Sequence, residues 1–153
     1  MNKESATLEL SIRHALRDGV ARAAAVVGLA GVGLIHVLEA PNTFPEAPYI
    51  GWMYVALIVG SVLTAAALIR GSDARAWFAA ALLPLGAIVG FTLTRTVGLP
   101  QDMGDIGNWR EPLGMASLFV EGSLVALSAM VLRDRAVGVS RRLEFQAPSM
   151  VEV

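Results

Sequence analysis

Residues 47–94 read APYIGWMYVALIVGSVLTAAALI, then RGSDAR, then AWFAAALLPLGAIVGFTLT. No Asp, Glu, Lys or Arg interrupts the first 23 residues or the last 19, and the six between them, Arg70-Gly-Ser-Asp-Ala-Arg75, are mostly polar. A helix rising 1.5 Å per residue needs about 20 residues to cross about 30 Å of hydrocarbon. Both runs meet that length, and a six-residue connection permits only a tight antiparallel turn. The stretch therefore predicts a hairpin of two membrane-crossing helices.

Outward from this hairpin, two further apolar runs occur at Val20–Leu38 and Pro112–Leu132. With Tyr49–Ile69 and Ala76–Thr94 they predict four spans and an all-α, integral membrane four-helix bundle. The runs are continuous and rich in Ala, Leu and Val, whereas strands of a membrane barrel alternate over about 10 residues. Of the 153 residues, 55% are apolar and 16% charged, against about 25% charged in an ordinary soluble domain. That composition and a net charge of −1 argue against a soluble enzyme core and a nucleic-acid partner; the expected surroundings are the lipid bilayer. The absence of cysteine removes disulfides, iron–sulfur ligation and thiolate chemistry. Three regions are expected: a cytoplasmic amphipathic leader at 1–18, the transmembrane domain at 19–133, and a disordered cytoplasmic tail at 134–153.

Lys and Arg set the orientation. Lys3, Arg13, Arg17 and Arg22, then Arg70 and Arg75, then Arg133, Arg135, Arg141 and Arg142 fall on one side, against Arg95 and Arg110 on the other. By the positive-inside rule both termini and the short turn are cytoplasmic, as in a multi-pass protein of a bacterial cytoplasmic membrane. Glu39–Pro48 and Arg95–Glu111 then form two outer loops, the first interrupted by Pro41 and Pro45. The leader contains Glu4, Glu9 and Asp18 and no small-x-small cleavage site follows the first run, so that run reads as a retained span. The leader itself, with Leu8, Leu10, Ile12 and Leu16 among charges, reads as a short helix lying on the membrane surface.

Small residues mark close packing. Gly86-Ala-Ile-Val-Gly90 is a GxxxG, echoed by Ala24/Gly28 and Gly122/Ala126, and predicts packing within the bundle or a seam to a second copy or a larger membrane complex. Pro84 predicts a kink in the third span. Glu46-Ala-Pro48-Tyr-Ile-Gly51 resembles Glu111-Pro112-Leu-Gly114, which reads either as a repeated two-helix hairpin or as two helix starts with Pro near the first turn and an acid by the positive end of the dipole. Tyr49, Trp52, Tyr54 and Trp109 read as an outer aromatic belt, with Trp77 at the inner boundary.

Few residues are foreign to lipid. Glu121 lies ten residues into the fourth span, about 15 Å below its start, where a carboxylate costs roughly 2.5–3.5 kcal/mol on insertion scales. Ser117 sits one turn earlier on the same face. His36 and Glu39, at i and i+3, share a face of the first helix, a spacing compatible with a metal site; His36, Glu39 and Glu121 are the metal candidates. Arg95 either snorkels or turns inward to neutralise Glu39 or Glu121, with Glu39 the nearer in depth. A bis-His haem is excluded, since His14 lies in the leader. A single-His haem or a transition metal stays open, with no cofactor predicted. Lys3 is the only lysine and lies outside the spans, which excludes a retinal Schiff base.

Gly33-Leu-Ile-His36-Val-Leu-Glu-Ala-Pro41 with Phe44 and Gly51, Arg95-Thr-Val-Gly-Leu-Pro100, and Glu111-Pro-Leu-Gly114 with Ser117 and Glu121 together resemble an uncharacterised group of small four-span membrane proteins of actinobacteria and their neighbours. The resemblance covers about residues 28–125. It implies four spans and one outward-facing site containing His36, Arg95 and Glu121, and no particular activity. Relatives in that group often carry a second histidine where this chain has Thr43, which leaves one nitrogen ligand for a metal.

The residues support an outward-facing polar intramembrane site, made of Glu121, His36, Glu39, Arg95 and Ser117, that binds or passes a cation, a proton or a small polar ligand. The alternative is a non-catalytic accessory subunit that packs against a larger complex through Gly86 and Gly90. A membrane enzyme, with His36 as base and Glu39 as its orienter, is the third reading, though no nucleophile or catalytic signature accompanies them. Because the chain lacks cysteine, orientation is directly testable: in intact cells an impermeant maleimide should label Asn42→Cys and spare Ala74→Cys, and the reverse pattern would invert the topology.

Overall fold

A computed structural model describes residues 3–146. The chain is all α: α1 spans Lys3–Glu46, α2 Pro48–Arg70, α3 Ala74–Thr96 and α4 Pro112–Gln146. All four are long and apolar enough to cross a membrane. Neighbours in sequence pack side by side, α1 on α2, α2 on α3 and α3 on α4, and α4 closes the ring against α1. A narrow α1–α3 contact crosses the middle, and α2 and α4 do not meet among the described residues.

Each helix turns one stripe inward. On α4 the buried positions are Gly114, Ser117, Glu121, Leu124 and Ser128, and on α1 they include Ala25, Leu29, Val32 and His36. Steps of three and four residues keep such a stripe on one face. Ala25, Leu29, Val32, Leu68, Ala76, Trp77, Ala80 and Leu124 form the apolar core. Gly28 lets the α1–α4 pair close up, since a Cβ there would meet Leu124 at 3.4 Å. Large apolar side chains elsewhere point outward, Phe119 at 76% exposure among them, in keeping with helices apolar enough to cross a membrane.

Several expectations need correction. Pro41 and Pro45 do not break α1, which continues to Glu46. Each removes one helical N–H, which leaves the carbonyls of Val37 and Pro41 without their usual donor four residues on, and α1 runs past both losses near its end. The first outer loop therefore shrinks to Ala47 alone. The leader is no separate surface helix, because α1 is continuous from Lys3. The tail expected to be disordered is helical as far as Gln146; residues 147–153 lie outside the described part. Trp77 belongs to no interfacial belt, being fully buried.

Ser72, in the α2–α3 turn, contacts Asp18 of α1 and Arg135 of α4. That fixes the level of the turn on the two long helices. Residues 3–17 and 136–146 continue beyond it, about 22 Å and about 16 Å of helix at 1.5 Å per residue. The GxxxG is likewise not an internal seam: Gly86 is exposed, and a Cβ at Gly86 or Gly90 would meet nothing within 4 Å. Pro84 is buried in an α3 that runs unbroken past it.

The hairpin echo has a packing counterpart. Phe44, near the end of α1, lies on Gly51 of α2 and meets Trp52 edge-on at 5.8 Å; Phe91, near the end of α3, lies on Gly114 of α4 and meets Trp109 edge-on at 6.1 Å. A Cβ at Gly51 would sit 2.7 Å from the Phe44 ring. Gly51→Ala and Gly114→Ala should therefore each lower unfolding stability in detergent by about 1–3 kcal/mol, while Gly86→Ala, in open space, should not lower it. Equal thermal transitions for all three variants would refute the two ring-on-glycine contacts.

Candidate functional site

The residues expected to form one site divide between two, one above the other. The deeper contains Glu121, Ser117 and His36, at 1%, 7% and 6% exposure. Ser117, one turn before Glu121 on α4, donates to Glu121 Oε1 at 2.8 Å. His36 Nε2 faces the same oxygen from α1 at 3.9 Å, within ion-pair range and beyond a direct hydrogen bond.

The other imidazole nitrogen fixes the tautomer. His36 Nδ1 lies 2.9 Å from the Val32 carbonyl oxygen, which can only accept, so Nδ1 carries hydrogen. In neutral His36 the lone pair of Nε2 then points at the carboxyl group. Lone pair against carboxylate is repulsive, so the stable states place a proton either on Nε2 or on Glu121. Both leave the pair uncharged overall, which suits burial in an apolar bundle.

Tyr54 of α2 joins this pair to the level above. Its ring meets the His36 imidazole edge-on at 4.8 Å, and its hydroxyl interacts with the side chains of Glu39 and Thr43 on α1. Read from sequence as a belt residue, Tyr54 is a wall of the site. A belt tyrosine and a site tyrosine have the same local sequence, and only the packing of α2 on α1 separates them.

The upper cluster is built on Arg95, which is 7% exposed. It neutralises neither Glu121 nor, by direct contact, Glu39. Nε donates to the Asn108 carbonyl at 2.9 Å, Nη1 to Thr94 Oγ1 at 3.0 Å and to Asp105, and Nη2 approaches Glu111 at 3.4 Å. The guanidinium also lies 4.6 Å from the centre of the Phe91 ring. Asp105 and Glu111 are its partners, brought back by the fold of residues 97–111.

The Arg-Thr-Val-Gly-Leu-Pro stretch explains that fold. Gly98 ends α3 at φ 75°, its N–H donating to the Leu93 carbonyl at 3.0 Å, and the Pro100 carbonyl accepts from the Tyr49 hydroxyl at 2.8 Å. Gly98 is the kind of residue a left-handed helix end favours. Glu111 also accepts the N–H groups of Leu113 and Gly114 at 3.2 and 3.0 Å, capping α4. Asp102 lies on the same loop, where burial, then the charge of Asp105, pushes its carboxyl up.

A third polar cluster, which the sequence offered only as orientation charge, sits at the turn. Arg135 donates to the Ser72 carbonyl at 2.6 Å and to the Ser72 hydroxyl, and approaches Asp18 at 3.3 Å; Trp77 Nε1 donates to Ser72 Oγ at 3.0 Å. Arg22 pairs with Asp18 at 3.2 Å and Arg17 with Asp134 at 2.6 Å. These contacts staple α1, the turn and α4 together.

His36, Glu39 and Glu121 do not assemble as metal ligands. Among the described residues no group of three or more His, Asp or Glu side chains is placed to hold a metal ion, and the only other histidine, His14, bonds to the Leu10 carbonyl. The fold and the site define a four-helix protein with apolar, membrane-length helices around a buried carboxyl–imidazole pair. The chain matches no protein-family model, no curated protein and no solved structure.

Arg95 is thus the clamp of the 97–111 loop. Arg95→Gln strands Asp105 and Glu111 and should cost about 2–3 kcal/mol in unfolding free energy, the scale of hydrogen bonds to charged groups. Arg95→Lys should recover only part, because an ammonium cannot reproduce the guanidinium fork. Thermal unfolding in detergent measures both; a wild-type transition in Arg95→Gln would show that the clamp contributes nothing.

Proposed function

We propose that this chain is a small multi-pass protein of a bacterial cytoplasmic membrane, with both termini cytoplasmic, whose His36–Glu121 pair is a proton-binding site reached from the outer, loop-bearing face. The supporting observation is the burial of Glu121 in an apolar bundle with Ser117 and His36 as its nearest polar partners. Among a cation, a proton and a small polar ligand, the proton is the occupant that two groups satisfy. A metal ion calls for further ligands that the site does not converge. Intramembrane carboxyl and imidazole groups commonly serve proton relays.

Orientation rests on the arginine count, ten basic residues at the turn side against two at the loop side. The acidic residues Glu39, Asp102, Asp105 and Glu111 gather on the loop side, where they favour the approach of cations, the proton included.

The reading is tested by infrared difference spectroscopy of the reconstituted protein across pH. Wild type should show one protonated-carboxyl band that titrates, Glu121→Gln should lack it while keeping helix content and oligomeric mass, and His36→Gln should displace it. The same titrating band in Glu121→Gln, or stoichiometric bound metal in wild type that is lost in Glu121→Gln, would overturn the proposal.

A second reading, an accessory subunit docking on a larger membrane complex, is favoured by the outward position of Gly86 and Gly90 on α3. Gentle detergent extraction followed by mass measurement separates the two. A larger assembly that Gly86→Leu dissolves supports the subunit reading, and a clean monomer or small homo-oligomer counts against it.

A further inference from the structure

Above and below the His36–Glu121 pair the bundle is built differently. Towards the loops polar groups enter the interior: Thr94 and Arg95 are buried there and hydrogen-bonded to each other, beside buried Ala47 and Ile50, and the Tyr54 hydroxyl interacts with Glu39 and Thr43, with Arg95, Glu111 and Asp105 in electrostatic reach of Glu39. Towards the turn, Ala25, Leu29, Val32, Leu68, Trp77 and Leu124 close the interior, each at 2% exposure or less. Ser61, Thr64 and Ser128 are buried in that half, and the Ser61 and Ser128 hydroxyls have no hydrogen-bond partner among the described residues. A proton moves along connected donors and acceptors, and isolated hydroxyls embedded in an apolar plug do not connect.

We infer that the His36–Glu121 pair is a dead-end site, open to protons from the loop side alone, with Tyr54 as the gate. This inference rests on the proton-binding reading and adds its sidedness. The ring of Tyr54 meets the imidazole edge-on at 4.8 Å, with its hydroxyl turned towards the side chains of Glu39 and Thr43. The groups that act on Glu121 are Ser117 of α4 and His36 and Glu39 of α1. Tyr54 is what α2 brings to His36, and α3 turns Arg95 to the loop carboxylates instead. A proton from the loop side, once past Tyr54, adds to the pair and leaves by the same route. The net movement is binding and release, with no transfer across the bundle. Such a site reports the acidity of one compartment and does not dissipate a gradient between two.

Tyr54 is a positioning residue in this scheme, so its variants are read by rate as well as by binding. The experiment uses the full chain in lipid vesicles, with the Asn42→Cys label identifying the outward-facing fraction. The hydrogen–deuterium exchange rate of the Glu121 carboxyl is followed in the infrared after a jump of external solvent, and proton leak is followed with an entrapped pH dye under an imposed gradient. Wild type should leak no faster than empty vesicles. Its carboxyl band should respond to the solvent on the loop side alone. Tyr54→Phe keeps the ring and loses the hydroxyl's interaction with Glu39 and Thr43, and exchange should quicken by less than in Tyr54→Ala. Tyr54→Ala removes the cover, and exchange should quicken about tenfold or more. Should Tyr54→Ala fail to fold, Tyr54→Phe decides. Exchange at the wild-type rate in the folded variants would remove Tyr54 as the gate. A leak above that of empty vesicles, abolished by Glu121→Gln, would make the pair a waypoint in a conducting path and overturn the dead end while leaving proton binding intact. Absence of any Glu121 band would defeat the underlying reading instead.

Discussion

A carboxyl group held in the middle of an apolar bundle must carry its own proton or find a positive partner within reach, because lipid offers neither. In this chain the requirement falls on Glu121, which His36 faces across the α1–α4 contact with its second nitrogen tied to the Val32 carbonyl, so that one proton between the two groups satisfies it. The pairing ties a point on α1 to a point on α4. A shift of one turn along α1 would bring Val32 or Glu39 opposite Glu121, with either an uncompensated carboxylate or two acids together. The register of the bundle and the chemistry of its site are therefore one constraint.

Two further polar clusters bracket that pair and do different work. At the loop end Arg95 gathers Asp105, Glu111 and the Asn108 carbonyl, so a connection of residues 97–111 is drawn down on the helix ends. At the turn end Arg135 and Asp18 converge on Ser72. Arginine suits both places because its five donors can serve several acceptors at once. Neither cluster contacts the deep pair directly, and the apolar core lies between the pair and the turn. Stability at the two ends is thereby separated from ionisation in the middle.

Much of this was legible from local pattern. Uninterrupted apolar runs located the four helices, and the foreignness of a carboxylate to lipid picked out Glu121, with Ser117 a turn away. What the pattern could not supply was pairing across helices. Depth along the span leaves Arg95 to snorkel or to meet Glu39 or Glu121, yet its partners come from a loop whose path depends on the left-handed turn at Gly98. Tyr54 and Trp77 look alike as aromatic residues near a span end, and one lines the site while the other fills the core. The prolines at 41 and 45 favour a break locally, yet each costs the helix a single donor, and the packing of the end of α1 on α2 carries the helix past them. In each case the deciding quantity was a contact between segments distant in sequence.

The two aromatic rings laid on glycine, Phe44 on Gly51 and Phe91 on Gly114, give the molecule an internal likeness between its first and second halves. Each half is a pair of antiparallel helices, so each returns the chain to the side from which it set out. A unit with an even number of crossings hands its orientation on unchanged to whatever follows. The imidazole of the site comes from the first half, on α1, and its carboxyl from the second, on α4, so the deep pair is also a contact between the two hairpins.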